Sequence, residues 1–340
     1  MTSPDTPLDD QIRALISASG SGSNEDLVEE MIVTILKFYR DDADRGDAKL
    51  VNTALKELRY PMRVFAAYKD RHKVSIFGSA RTPPDDPNYL LAAEFARLMT
   101  EKRNWMVITG AGPGIMQAGN EGAQGDSFGV NIRLPFEAAA NEHVPQNKLL
   151  NFKYFFTRKL MFVKESHAFA LFPGGFGTMD EAYEALTLIQ TGKSMMVPVI
   201  LLDTKETGYW DLWLEFAQET LLKQGMISAD DLHLFDRCHD ATQAADIICD
   251  FYSNYQSQRF VDGDIVLRMN RGPDDATLAH LNATFSDIVV KGTIDRIEPT
   301  PAEISDDDRL DLDRIRFTFN RRSLGRLRNL IDALNELPAG

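Results

Sequence analysis

The run His167-Ala-Phe-Ala-Leu-Phe172 leads without a break into Pro173-Gly-Gly-Phe-Gly-Thr-Met-Asp-Glu181, and the rest of the chain takes its reading from this stretch. The apolar run has the length and composition of a short buried strand. The glycines that follow predict a loop, and the spacing from Thr178 to Gln190 predicts a helix. A strand, a glycine loop and a helix start in that order make an anion cradle. Glycine lets backbone N–H groups of Gly174, Gly175, Gly177 and Thr178 approach a phosphate closely, and the helix N-terminus adds partial positive charge. Glu181 follows about one helical turn later and admits two readings. Thr178-x-x-Glu181 is a capping box, in which the glutamate reaches back to the cap N–H. It is equally a carboxylate beside a bound sugar phosphate, kept ionised by the helix terminus and able to stabilise a cation or activate water.

Outward from this stretch the same unit repeats. Val74–Phe77 runs into Gly78-Ser-Ala-Arg81 and a helix over about 89–102. Trp105–Thr109 runs into Gly110-Ala-Gly-Pro-Gly114 and another helix, and Phe128–Leu134 is a third strand. An amphipathic helix over about 152–166 precedes the opening strand. After it come the strand Val197–Leu202 and helices near 210–223 and 241–255. Repeated β-loop-α units predict an α/β fold, a Rossmann-like doubly wound parallel sheet, with ligands beyond the carboxyl ends of the strands. Every glycine loop follows a strand end, so all should gather on one edge.

On either side the pattern changes. Residues 1–23 carry Pro, Asp and a Ser/Gly run and predict a flexible start. Residues 24–71 predict a helical extension: Asn24 caps a helix to about Arg40 bearing Leu27, Met31, Ile35 and Phe38 at helical spacing, and Gly46 breaks it. A second helix over about 49–68 is interrupted or kinked at Pro61. The α/β part occupies 72–257. From 260 to 340 the chain reads as a small α+β unit, with Ser305-Asp-Asp-Asp308 as an exposed acidic loop. Its Arg321-Arg322-x-x-x-Arg326-x-Arg328 is either a helix face turned toward that loop or an effector-phosphate site.

Composition excludes several classes. Of 340 residues, 37 are Lys or Arg and 51 are Asp or Glu, a formal charge of −14. That disfavours broad binding to nucleic acid or anionic membranes but not a local basic pocket. The two cysteines, Cys238 and Cys249, form no framework and no C-x-x-C, and no apolar run is long enough to cross a membrane. These features predict a reduced, cytoplasmic protein. Gly110-x-Gly-x-Gly114 departs from the dinucleotide fingerprint because Ile115 stands where the third glycine belongs, which leaves a tight packing turn or a nucleotide-contacting loop. Gly192-Lys-Ser194 lacks the upstream P-loop glycine, since Thr187 stands there. None of the six histidines forms an H-E-x-x-H pair and no G-x-S-x-G elbow exists, so neither a metal site nor a Ser-His-Asp hydrolase is indicated.

Arg158-Lys159 lies on the helix preceding the opening strand. It is a solvated edge or a fork for phosphate and ribose oxygens. Phe155 and Phe156 beside it stack on a base or fill the core, and at least one is expected in the core.

With these residues set out, the chain resembles the LOG ("Lonely Guy") family of nucleoside 5′-monophosphate phosphoribohydrolases, often misnamed lysine decarboxylases. Pro173–Glu181 matches its P-G-G-x-G-T-x-x-E motif completely, and Arg158-Lys159 matches the Arg-Lys of its helix motif. Gly78-Ser79 and the Gly110, Gly112 and Gly114 loop also fit. The likeness spans about residues 72–257. Where the family commonly has Met-His-x before Arg-Lys, this chain has Phe155-Phe156-Thr157, so the identity of the base does not carry over. The resemblance implies hydrolysis of the N-glycosidic bond of a purine nucleoside 5′-monophosphate, either AMP-like or a cytokinin riboside monophosphate. Arg158 and Glu181 are the implied catalytic pair. Gly78, Ser79, Gly110, Gly112, Gly114, Phe155, Lys159, Gly174, Gly175, Gly177 and Thr178 are the implied binding residues. It implies neither cofactor nor metal, and a homodimer or larger homo-oligomer. The competing expectations are a non-catalytic nucleotide sensor or carrier on the same fold and a DNA-processing relative.

Overall fold

The structure, a computed structural model, describes residues 7–20, 22, 24–133 and 140–337. The first six residues of the expected flexible start, positions 21 and 23, and Leu134 of the expected third strand lie outside the described residues. The chain divides into two compact units, one ending at Lys56 and one beginning at Glu57.

In the smaller unit, Pro7–Ser19 is a helix (α1) where flexibility was expected. Ile12 and Ile16, four residues apart on one face, are both buried, and their burial outweighs the loop-like residues around them. Arg13 Nε lies 3.3 Å from Glu29 of α2 (Glu25–Arg40). Helix α3 (Arg45–Ala66), whose residues from Glu57 onward belong to the larger unit, starts earlier than its spacing implied. Gly46 lies in its first turn, Asp44 caps it by accepting from Asp47 N at 2.9 Å, and Pro61 sits inside it without a break.

The larger unit holds β1 (Lys73–Phe77), α4 (Pro87–Arg97), β2 (Met106–Thr109), α5 (Ile115–Gly122), β3 (Ser127–Ile132), β4 (Leu149–Phe152), α6 (Phe155–Glu165), β5 (Ala168–Leu171), α7 (Phe176–Gln190), β6 (Val199–Leu202), α8 (Tyr209–Phe216), β7 (Asp236–Cys238) and α9 (Ala241–Phe251). Helices α4 and α8 each end in a π-helical turn, Leu98–Lys102 and Ala217–Leu222. The seven strands form one parallel sheet in the order β4-β3-β2-β1-β5-β6-β7. The expected doubly wound architecture is therefore the observed one. Winding runs outward from β1 to β4, then jumps back across β1 to β5. The carboxyl ends of β1 and β5 thus form the switch point where such sheets bind ligands.

Beyond α9 lie β8 (Tyr255–Val261), β9 (Asp264–Met269), α10 (Asp275–Thr284), β10 (Val289–Arg296), α11 (Pro301–Asp306), β11 (Asp313–Phe319) and α12 (Leu324–Asn335). The four strands make an antiparallel sheet ordered β10-β11-β9-β8. A continuous apolar cluster joins this sheet to one face of the main one, from Phe128 and Phe162 through Trp210 and Tyr255 to Ile265, Phe317 and Leu330. Two expectations for this region change. The acidic stretch is exposed from Ser305 to Asp307, as expected, but it is not all loop: Ser305 and Asp306 end α11, Asp306 pairs with Arg259, and the half-buried Asp308 accepts from Arg268 at 2.7 Å. The arginines near α12 do not face that stretch. Arg326 pairs with Asp287, and the buried Arg328 pairs with Asp236 and Asp332.

Candidate active site

At the switch point β1 and β5 stay laced past their ends. Phe172 N donates to Phe77 O at 2.8 Å, and Ser79 N donates to Pro173 O at 2.9 Å. The loop after β2 joins them, with Ile115 N donating to Ser79 O at 3.0 Å. Gly114 makes that approach feasible. Its φ is +67°, and a Cβ there would lie 2.2 Å from Ser79 O. The three glycine loops therefore line one cleft of about 780 Å³, as their shared strand-end positions implied.

The phosphate-cradle loop differs in detail from its sequence reading. Helix α7 starts at Phe176 with Gly175 as its cap, two residues before the expected Thr178. Thr178 is thereby moved inside the first turn, and the capping box with Glu181 does not form. No side chain caps this helix start. The N–H groups of Phe176, Gly177 and Thr178 belong to the turn that has no intrahelical acceptors. Gly175 and Gly177 face open space, whereas Thr178 Oγ1 packs against Gly174. Tyr209, from the start of α8, donates its hydroxyl to Gly174 O at 2.7 Å and pins the loop.

Arg158 reaches the cleft from α6. Its Nε donates to Val130 O at 3.0 Å, and its guanidinium lies over Phe162 (5.4 Å) and Phe155 (5.9 Å). It passes so close to the β2 loop that a Cβ on Gly110 would lie 2.6 Å from Nη2. The helix that carries it is held from α3. The Glu57 carboxylate accepts from Lys153 N at 2.6 Å and from Thr157 Oγ1 at 2.7 Å, a cap that α6 does not supply for itself.

Glu181 lines the cleft from the second turn of α7. Burial raises its pKa to about 7, with Glu184 and Asp180 adding to the rise and Arg158 and Lys159 pulling against it. The helix-terminus effect expected to keep it ionised is thus outweighed, and near neutrality the carboxyl is poised between its two forms.

Of the residues named from sequence, Gly78, Ser79, Gly110, Gly112, Phe155, Arg158, Gly174, Gly175, Gly177, Thr178 and Glu181 line the cleft. Gly114 supports it from behind. Lys159 does not line it: its Nζ lies 2.9 Å from both Asp180 Oδ2 and Glu184 Oε2. The two phenylalanines also differ from expectation, since neither is core. Phe155 (51% exposed) faces the cleft, and Phe156 (53%) stacks on Tyr154. Phe176, 97% exposed, stands at the mouth. Glu57, Tyr209, Met116 and Ile132 escaped the sequence reading, because no local pattern marks residues whose partners lie far along the chain.

A parallel α/β sheet whose switch point carries a glycine-lined helix start, an arginine and a carboxyl of raised pKa defines a Rossmann-like protein with a candidate ligand cleft at the carboxyl ends of its strands. Residues 114–248 match the family described as "Possible lysine decarboxylase". The chain is 31% identical over 131 residues to the pyrimidine/purine nucleotide 5′-monophosphate nucleosidase of Escherichia coli K12, a match covering 35% of this chain and 29% of that one. It is 36% identical over 84 residues to the "probable cytokinin riboside 5′-monophosphate phosphoribohydrolase" LOGL9 of Oryza sativa subsp. japonica, covering 25% and 35%. The chain thus spans about a third of the length of these curated relatives. Among solved structures, the molybdenum cofactor binding protein of Rippkaea orientalis aligns at 17% identity and a TM-score of 0.38, over 53% of this chain and 96% of that one. Within its α/β part this chain is therefore similar to the LOG family and to nucleotide 5′-monophosphate nucleosidases.

Proposed function

We propose that this protein hydrolyses the N-glycosidic bond of a nucleoside 5′-monophosphate, a purine one by preference, giving the free base and ribose 5-phosphate. The observation that carries this reading is the convergence of the cradle N–H groups, Arg158 and Glu181 on one cleft. The N–H groups at Gly175–Thr178 hold the 5′-phosphate. As the base leaves, the ribose gains oxocarbenium character. Ionised Glu181 stabilises that cation and orients the attacking water, while Arg158 fixes the ribose or phosphate oxygens. Water adds hydroxyl to C1′, and its remaining proton goes to the departing base. Phe155 and Phe176, both exposed at the cleft, offer faces on which the base stacks.

Self-association belongs to the same proposal. Leu27, Met31 and Ile35 recur every fourth residue on α2 and are each about half exposed, and α2 buries none of its residues. Sedimentation of the whole chain tests this, a monomer being the contrary result.

The function is tested with Glu181→Gln. The variant should bind AMP as the parent does and lose turnover by on the order of 10²–10³-fold. Unchanged turnover removes Glu181 from the chemistry. AMP binding without products in the parent would favour the sensor or carrier reading.

A further inference from the structure

The edge of the main sheet opposite the cradle holds a second cleft, of about 540 Å³, beneath the amino ends of β1 and β5. Such a volume is ample for a small metabolite. Its floor is a group of half-buried rings: the His72 and His167 centroids are 4.6 Å apart, and those of His72 and Tyr252 are 4.8 Å apart. Tyr252 is fixed there by its hydroxyl, which donates to His167 O at 2.7 Å. Burial keeps both imidazoles neutral, lowering the pKa of His72 and pushing that of His167 down to about 3. His167 Nδ1 accepts from Lys73 N at 3.3 Å, which leaves Nε2 as the nitrogen bearing the proton.

The charges around the floor fall into two groups. Arg259, Arg268 and Asp308 are committed to an ion network with Asp306 and Glu303. Lys69 and Arg309 also line the cleft, and neither makes an ion pair among the described residues. The carboxylate of the lining outside that network is Asp70. In a chain of formal charge −14, two uncommitted cations over neutral rings favour an anion.

A further observation points to a ligand. The ladder between β8 and β9 slips between Tyr255 and Ser257, so Gln256 is the extra residue of a bulge facing the cleft. Bulges of this kind re-aim a side chain beside a binding site. Gln256 Oε1 is buried with no hydrogen-bond partner among the described residues, an acceptor left waiting for a donor.

We propose that this cleft is a second ligand site for a small organic phosphate, its phosphate held by Lys69 and Arg309 and its amino-bearing ring lying on the His72–Tyr252 floor within reach of Gln256. Calorimetry of the full chain with ADP as the probe tests it, with inorganic pyrophosphate in a parallel arm. The parent should bind one ADP more per chain than Lys69→Glu/Arg309→Glu. The equivalent the variant retains should be unchanged in affinity, and its AMP turnover should match the parent. Pyrophosphate should bind the second site at least tenfold more weakly than ADP, and Gln256→Leu should narrow that gap. Equal ADP stoichiometry and affinity in parent and double variant overturn the site, as does a parent binding no second equivalent. Equal affinity for pyrophosphate and ADP overturns the organic part of the ligand. Both charge reversals are at exposed residues, and an unchanged melting temperature confirms folding; Gln256→Leu supplies an independent variant.

Discussion

Replacing Glu181 by Gln should stabilise the protein in alkali while removing the activity proposed for it. The glutamate pKa rises from 4.5 to about 7 on folding, first because of burial. At about 1.4 kcal/mol per unit, ionised Glu181 costs the folded state about 3 kcal/mol. Solvent reaching the partly exposed carboxyl reduces this to ~1–3 kcal/mol. The sign follows from proton binding. Between the two pKa values the folded chain holds a proton that the unfolded chain has released, so this group's contribution falls as pH rises from about 4.5 through about 7. Glutamine has the same shape without the charge. Urea unfolding at about pH 5 should therefore show a small gain for Glu181→Gln, and at about pH 8 that gain should widen by ~1–3 kcal/mol. A gap that stays the same between the two pH values would refute the buried-carboxyl reasoning.

Further outcomes follow from the same site. If Glu181 works ionised, kcat/KM for AMP should fall about tenfold per pH unit below about 7, read from a pH–rate profile. Gly114→Ala forces a Cβ to within 2.2 Å of Ser79 O at a φ of +67°; the strain and overpacking should cost about 3 kcal/mol in chemical denaturation and displace the Ser79 turn. Glu57→Ala removes the carboxylate that caps α6; stability should fall by about 1 kcal/mol, and kcat should drop more than KM rises because Arg158 loses its anchored helix.

The architecture was legible wherever an apolar run ended in glycine, as at Phe77-Gly78, Thr109-Gly110 and Phe172–Gly175, since strand and loop chemistry change sharply there. Strands β4 and β7 were not. Leu149–Phe152 is four residues long and merges into the apolar start of α6. Asp236-Arg-Cys238 is a three-residue edge strand with no apolar alternation to announce it. Within the site, sequence could group Arg158 and Lys159 but not separate them. One residue of helix turns a side chain by about 100°, enough to send Arg158 into the cleft and Lys159 to Asp180 and Glu184. Glu57 lies about a hundred residues before the helix it caps and Tyr209 lies 35 after Gly174, so only the folded chain pairs them. The same holds for Arg328, whose partner Asp236 is 92 residues away.

The central claim is that the Gly174–Thr178 cradle holds a 5′-phosphate while the bond to the base is cut beside Arg158 and Glu181. It is tested most directly by incubating the protein with AMP and with adenosine in parallel and separating the products by chromatography. Adenine and ribose 5-phosphate should appear from AMP, with adenosine left essentially intact. Equal release of adenine from both, or none from any nucleoside monophosphate, would contradict it.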